Sequence, residues 1–295
     1  MVISLKDAYA ALKGALSPEI EESAFEAREL LAAVFGVSRG DILAGREIAV
    51  AEAQAEALKS LARRRLNREP LQYLLGEWDF YGRTFQVGEG VLIPRPDTEA
   101  LAGLGLAFLK EKDKPRVLDL CAGTGCIAIT IALEHPGAEV WALEKSPLAW
   151  GYFTANNRAF GSPVRGVLGD ALNLESLPLP GDFDLILSNP PYLTRGEMAA
   201  LQPEVAREPA MALDGGEDGL FFYRALTPLY VPRLKPGGML AYEIGMGQEE
   251  AVSEILRSAG LDFICQTPDL HGIIRVISGA KQLTVDSYGA ACGGE

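Results

Sequence analysis

Cysteine and histidine are scarce in this chain, with four Cys and two His among 295 residues. Cys121, Cys126, Cys265 and Cys292 are scattered and form no C-x-x-C pair. A metal site is therefore not expected, and reduced thiols are the simplest state. Long apolar runs are also missing. Nothing approaches the roughly 18 uninterrupted apolar residues that a membrane-spanning helix needs. The first residues, MVISLKDAYAALKGAL, carry no basic region followed by an apolar run and a small-residue cleavage site. No secretory signal is expected, and the cytoplasm is the expected compartment. Positive charge is in deficit: 27 Lys and Arg face 40 Asp and Glu, a formal net charge of −13. Such a balance argues against a protein that wraps nucleic acid by displacing counterions from many phosphates, although a local basic patch stays compatible with it.

What the chain has in quantity is apolar side chains, 48% of the total, and enough length for two domains around real cores. Residues 1–70 read as helical. Ser4 suits an N-cap for a helix through Leu16. Ser17-Pro18-Glu19 reads as a second start, with a capping Ser, Pro at the first position and Glu in the first turn. Ala24, Ala27, Leu30, Leu31 and Val34 then recur at helical spacing. A third helix is expected through AVAEAQAEALKSLARRRLNRE, ending at Pro70. Arg63, Arg64, Arg65 and Arg68 in its last turns read first as solvated cations favoured at a helix C-terminus, and second as a partner-binding patch. Residues 71–90 change character: WDFYGRTFQVGEG is aromatic, Gly-punctuated and partly alternating, as expected of a hairpin linking two domains.

From Arg116 onward strands alternate with helices. VLDL (117–120), EVWALE (139–144), VRGVLG (164–169), FDLILSN (183–189), GGMLAYEIG (237–245) and IIRVISG (273–279) read as strands. Helices are expected from CIAITIALEH and around Trp150 to Asn157. The alternation implies an α/β fold with a doubly wound sheet, with the loops after successive strands gathered on one edge, where ligands bind. Residues 280–295 are small, polar and Gly-rich, as in a mobile tail.

Three polar points fall on that edge. Asp119-Leu120-Cys121-Ala122-Gly123-Thr124-Gly125 turns the first strand into a helix. Its glycines permit close backbone approach to a ligand, but the spacing is not the G-x-G-x-x-G that places a pyrophosphate on a helix N-terminus. The pattern suits a ligand without phosphates, and Asp119 suits a cationic amino group such as that of a methionine moiety. Glu144 ends the second strand, where a carboxylate accepts from both ribose hydroxyls. Gly169-Asp170-Ala171 follows the third, with Asp170 placed for an adenine amino group and Ala171 for the ring. Together they outline an S-adenosylmethionine site.

Asn189-Pro190-Pro191-Tyr192 supplies the other half of the chemistry. Two successive prolines make a stiff turn with free carbonyls. The Asn189 side-chain oxygen and the Pro190 carbonyl can accept both hydrogens of one NH2 group, and Tyr192 can stack on the planar group that bears it. An amide nitrogen is a poor nucleophile because its lone pair is delocalised. Holding both hydrogens aims that nitrogen at an activated methyl group ~3–3.5 Å away.

On these residues the chain resembles the HemK/PrmC family of protein-(glutamine-N5) methyltransferases that act on peptide chain release factors. The resemblance also rests on Arg68-Glu69-Pro70-Leu71-Gln72-Tyr73 with Gly76 and Phe80, and on Val91-Leu92-Ile93-Pro94-Arg95-Pro96-Asp97-Thr98-Glu99. Glu204-Val205, Glu208-Pro209, Gly215-Gly216, Asp218-Gly219, Glu243-Ile244-Gly245 with Gln248, and Asp269 with Arg275-Val276 carry it further. It implies a Rossmann-like class I methyltransferase domain with a seven-stranded, mainly parallel sheet over residues 91–279. A small helical bundle over residues 1–70 would precede it and help hold the release factor. It further implies S-adenosylmethionine as cofactor, with Asp119, Cys121, Ala122, Gly123, Thr124, Gly125, Glu144, Asp170, Ala171 and Asn189 around it. Asn189 to Tyr192 would clamp the Gln of a Gly-Gly-Gln loop, with Arg95 beside it. Arg95 and Glu99 would be either ion-paired supports or contacts. A monomer that engages release factors, and neither membrane nor nucleic acid, is the expected partnership. Two other acceptors share the NH2 geometry: a ribosomal-protein glutamine and the exocyclic amine of DNA adenine. A sensor of the methyl donor without catalysis would have no use for the Asn189 to Tyr192 turn.

Overall fold

The computed structural model describes residues 1–282. The chain divides into two units. The first comprises Met1–Trp78, Val87–Glu89 and Gln202–Arg207; the second comprises Asp79–Gln86, Gly90–Leu201 and Glu208 onward.

The first unit is built on helices Leu5–Leu16, Ser23–Phe35 and Glu52–Leu66, with short helices Arg39–Leu43 and Leu71–Leu75. Leu5, Leu12, Leu16, Leu30, Leu31 and Ile42 are buried in one cluster at helical spacing. Ser4 caps the first helix by accepting from the Asp7 amide. The expectations for this region need four corrections. It is not purely helical, because Val2–Ser4 pairs antiparallel with Glu47–Ala49. The second helix starts at Ser23, not Ser17. Ser17 closes the preceding helix, its hydroxyl donating to Gly14 O, and the next turn buries Ile20 in the core. That burial outweighs the local capping signal. The third long helix ends at Leu66, before a turn in which Arg68 takes a φ of +64°.

The arginines at its end are not a solvated patch. Arg65 is 5% exposed and grips Glu26, itself 8% exposed, with Nε at 2.5 Å and Nη2 at 3.0 Å. Its Nη1 donates to Glu204 at 2.9 Å. Arg68 donates to the same carboxylate and to Glu19 O, and Arg64 pairs with Glu69. Only Arg63 of the four is exposed without an ion pair among the described residues.

A hairpin is formed by Glu77–Phe80 and Arg83–Gln86, within residues 71–90, and the division between the two units runs through it. The second unit is organised by a seven-stranded sheet: β1 (Arg116–Leu120), β2 (Glu139–Glu144), β3 (Val164–Leu168), β4 (Phe183–Ser188), β5 (Leu234–Glu243), β6 (Leu261–Pro268) and β7 (Ile274–Lys281). The spatial order is 3-2-1-4-5-7-6, and β7 runs antiparallel to both neighbours. This is the architecture of class I methyltransferase domains. Strand β6 had no sequence-based expectation, and β7 extends to Lys281, two residues beyond its expected end at residue 279. Residues 283–295 of the expected tail, with Cys292, lie outside the described residues.

Because strand residues alternate sides, the apolar runs feed two cores. Val117, Leu185, Leu187, Met239 and Ala241 enter one, with helices Glu99–Leu109 and Cys126–Glu134. Leu118, Leu120, Ile186, Leu240 and Tyr242 enter the other, with helices Phe221–Tyr230 and Glu249–Ser258. The strand order reverses at β1, since the chain moves out through β2 and β3 on one side and returns to β4 on the other, and this leaves a crevice beyond the C-terminal ends of β1 and β4.

Candidate active site

A cavity of about 340 Å³ occupies that crevice. Its wall is drawn from residues 90–95, 121–124 and 143–146, from 169–172, and from Asn189, Pro191 and Met211 among others. The turn after β1 is shaped by positive φ at Cys121 (+60°) and Gly123 (+56°). It is held from β2. Glu144, 8% exposed, accepts from the Gly123 amide at 2.8 Å and from the Ser146 amide at 2.6 Å. Burial, with the neighbouring Glu144 charge adding to it, pushes the Cys121 thiol up to about 12, so it stays protonated in the wall.

Asp170 follows β3. Burial works against its charge, but Lys145 at 2.7 Å and the Leu172 amide hold its pKa below the usual carboxylate value. Ala171 is buried, and its carbonyl accepts from the Tyr230 hydroxyl. The stretch from Ile93 to Arg95 is stapled by Glu208, which takes the Ile93 amide at 3.0 Å and pairs with the Arg95 guanidinium. Arg95 is thus both an ion-paired support and part of the wall. Glu99 takes the Tyr81 amide at the hairpin and is not in the wall.

Four expected site residues stand elsewhere. Asp119 is fully buried, on the sheet face covered by helix Cys126–Glu134, and accepts from the Ala128 amide. It lies behind the cavity, not in its wall. Desolvation raises its carboxyl to about 8, which keeps it protonated at neutral pH. Gly125 is likewise outside the wall; a Cβ there would come within 2.6 Å of the Phe153 ring. Pro190 is buried and does not line the cavity. The Tyr192 ring lies beside Gly245, with its hydroxyl donating to Glu243 Oε1 at 3.4 Å, so the expected stacking face is not presented to the cavity.

Asn189 does face the cavity, and its Nδ2 donates to Thr98 Oγ1 at 3.3 Å. The turn that carries it is braced from behind. Gln248 Nε2 donates to the Tyr192 carbonyl at 2.9 Å, and Leu193 exchanges hydrogen bonds with Leu213 and Gly215. Thr98, Glu208 and Gln248 had no individual role in the sequence reading. Nor did Gly215, where a Cβ would stand 2.7 Å from the Tyr192 Cα and carbonyl carbon. Backbone cannot swing aside as a side chain can. Gly215→Ala is therefore expected to cost about 1–3 kcal/mol of overpacking and to displace the Asn189 turn. Denaturant unfolding and kcat should both fall; a parent-like kcat would mean that the turn tolerates the shift.

The wall suits the cofactor class read from the sequence. It is mostly apolar, and its two cations, Arg95 and Lys145, are each committed to a carboxylate. No unpaired cation among the lining residues awaits a phosphate. A carboxylate at the end of β2 and a glycine at which a Cβ would meet no atom nearer than Val91 Cγ2 at 3.9 Å fit an adenosyl group.

Comparison with known proteins agrees in fold. Residues 4–76 match the PrmC N-terminal domain, and residues 102–217 the Methyltransferase small domain. A release factor glutamine methyltransferase of Geobacter sulfurreducens is 39% identical over 263 residues, spanning 88% of this chain and 90% of the relative. One from Bordetella pertussis is 41% identical over 254 residues, spanning 86% and 93%. A methyltransferase structure from Pyrococcus furiosus shares the fold alone, at 20% identity and a TM-score of 0.52 over 69% of this chain and 91% of that one. The chain belongs to the family of release factor glutamine methyltransferases.

Proposed function

We propose that the protein transfers the methyl group of S-adenosylmethionine to the side-chain amide nitrogen (N5) of the glutamine in the Gly-Gly-Gln loop of peptide chain release factors. The observation that carries this reading is that Glu144 and Asn189 face one cavity, from the ends of β2 and β4, the two strands that flank β1. Glu144 would hold the ribose hydroxyls, Asp170 and Ala171 the adenine end, and residues 121–124 the remainder of the donor. Bound there, the cofactor supplies a methyl group already activated by the sulfonium charge.

The protein's own work is then positioning and desolvation. Asn189 Oδ1 accepts from the substrate amide NH2, which fixes the nitrogen's direction and raises its electron density. Pro191 and Met211 line the approach with apolar surface. No general base has to act before the transfer. The methylated nitrogen is acidic and gives up its proton afterwards. Release factors are the partners this reading requires; the cytoplasm and a monomeric state complete it. No helix among the described residues is long and apolar enough to cross a membrane.

The test is to incubate the purified protein with S-adenosylmethionine and a release factor and to map added methyl groups by mass spectrometry. A methyl on the Gly-Gly-Gln glutamine supports the assignment. Transfer to a ribosomal protein or to DNA in its place would move the acceptor elsewhere. For the donor half, Gly123→Val puts a branched side chain at a φ of +56° and into open space, where the nearest protein atom to a Cβ is Val91 Cγ2 at 3.9 Å. Donor affinity should drop at least about tenfold, equivalent to ~1.4 kcal/mol. Parent-like calorimetric binding would contradict the placement.

A further inference from the structure

Glu243 ends β5 at 2% exposure, and the transfer as described gives it no task. Its Oε1 accepts from the Tyr192 hydroxyl, while Oε2 is buried with no hydrogen bond of ordinary geometry. The Thr98 hydroxyl lies beside that carboxylate. Thr98 is 3% exposed, and its oxygen already accepts from Asn189 Nδ2. Asn189 and Thr98 in the wall of the cavity are thus joined to Glu243 and Tyr192 behind it.

A hydroxyl has one proton and two lone pairs, so the direction of one bond fixes the other. We propose that Glu243, acting through Thr98, decides which end of the Asn189 amide faces the cavity, and is thereby a positioning residue for the transfer. The proposal rests on Asn189 acting as acceptor for the substrate amide hydrogens. With Glu243 ionised, the Thr98 proton goes to the carboxylate, the Thr98 lone pair takes Asn189 Nδ2, and Oδ1 is left for the substrate. With Glu243 protonated, the carboxyl proton goes to Thr98, whose own proton turns to Asn189. Asn189 must then answer with Oδ1, and its NH2 meets the NH2 of the incoming amide. Two donors face each other, and the clamp is lost.

The charge on Glu243 is sensitive to pH. Burial is the main cause that pushes its carboxyl up to about 7, aided by Asp97 and opposed by Thr98, Arg275 and Tyr192. The groups facing it from the packed elements are Asp97 before helix Glu99–Leu109, Cys126 at the start of helix Cys126–Glu134 and Tyr192 on the turn. From the remaining elements come Tyr223, which donates to the Glu243 carbonyl, and Arg275 on β7, paired with Asp97 and Asp269. Since the ionised form is the competent one, kcat should rise with pH along an acid limb near 7.

The experiment compares kcat, and KM for each substrate, in the full chain and in Thr98→Val, Thr98→Ser, Glu243→Gln and Asn189→Ala across that pH range. Thr98→Val keeps shape and removes the hydroxyl; kcat should fall about tenfold, the worth of one good hydrogen bond, with donor KM unchanged. Thr98→Ser should restore most of the loss, which a packing role would not predict. Glu243→Gln should lower kcat and abolish the acid limb. Full kcat in Thr98→Val, or an acid limb that survives in Glu243→Gln, overturns the proposal. If Glu243→Gln does not fold, the Thr98 pair decides the matter alone. Loss of turnover in Asn189→Ala with none in Thr98→Val would leave the clamp standing without this device, whereas turnover in Asn189→Ala would remove the clamp itself.

Discussion

Asn189→Ala should lower turnover by on the order of 10²–10³, the loss that follows removal of one preorganised hydrogen-bonding group from a water-excluded site, while leaving methyl-donor affinity close to that of the parent. Asn189 is in the cavity wall, but its Nδ2 is spent on Thr98, and its Oδ1 has no hydrogen-bond partner among the described residues that it must keep. The donor end is secured separately, by Glu144 gripping the Gly123 and Ser146 amides. Removing the side chain therefore deletes the acceptor's guide and touches nothing that shapes the donor cradle. Single-turnover rates read beside calorimetry of the donor separate the two contributions. A collapse of donor affinity along with turnover would show that Asn189 serves both ligands and that the division of labour is wrong.

The second large effect is on stability. Arg65→Leu should destabilise the first unit by about 3–5 kcal/mol, because it strands a buried carboxylate. Glu26 has both oxygens on Arg65, and Glu204 loses its shorter contact. Residual pairing of Glu204 with Arg68 offsets only part of this. The double change Arg65→Leu with Glu26→Leu removes the stranded charge and should recover much of the loss, since a buried ion pair and an apolar pair of similar volume differ little in net stability. Chemical denaturation followed by circular dichroism provides the comparison. A single-variant loss below roughly 1 kcal/mol, the value of an exposed pair, would show that water reaches Glu26.

The stretches legible in the sequence are those where local pattern and tertiary demand coincide. Strands β1, β2 and β4 are short apolar runs bounded by turn residues, and a sheet covered on both faces requires that pattern. The glycine turn and the Asn189 turn were legible for the same reason, since each needs a backbone that few residues permit. Strand β6 was not. LDFICQTP is mostly exposed at the edge of the sheet, so burial imposed no apolar run on it. Helix Phe221–Tyr230 contains Pro228, which reads as a break. Asp119 was misjudged although the signal was present. It stands between Leu118 and Leu120, which share the opposite face, so its side chain had to point under the helix that follows. The arginine cluster was illegible in principle, because burial of Arg65 depends on a carboxylate 139 residues away. Thr98 gave no cue either; within Pro96-Asp97-Thr98-Glu99 it passes for a helix cap, and only the fold brings it to Asn189.

That distant carboxylate also sets a timetable. Residues 202–207 belong to the first unit, yet β1 to β4 are all translated between Arg65 and Glu204. At about 5–20 residues per second, the ribosome needs roughly 7–28 s to deliver Glu204 after Arg65. Through that interval the nascent first unit holds its buried arginine with one carboxylate instead of two. A fragment cut after residue 78 would stay in that state permanently, so excising the leading helices as a contiguous piece removes a part that the nascent chain was still waiting to receive.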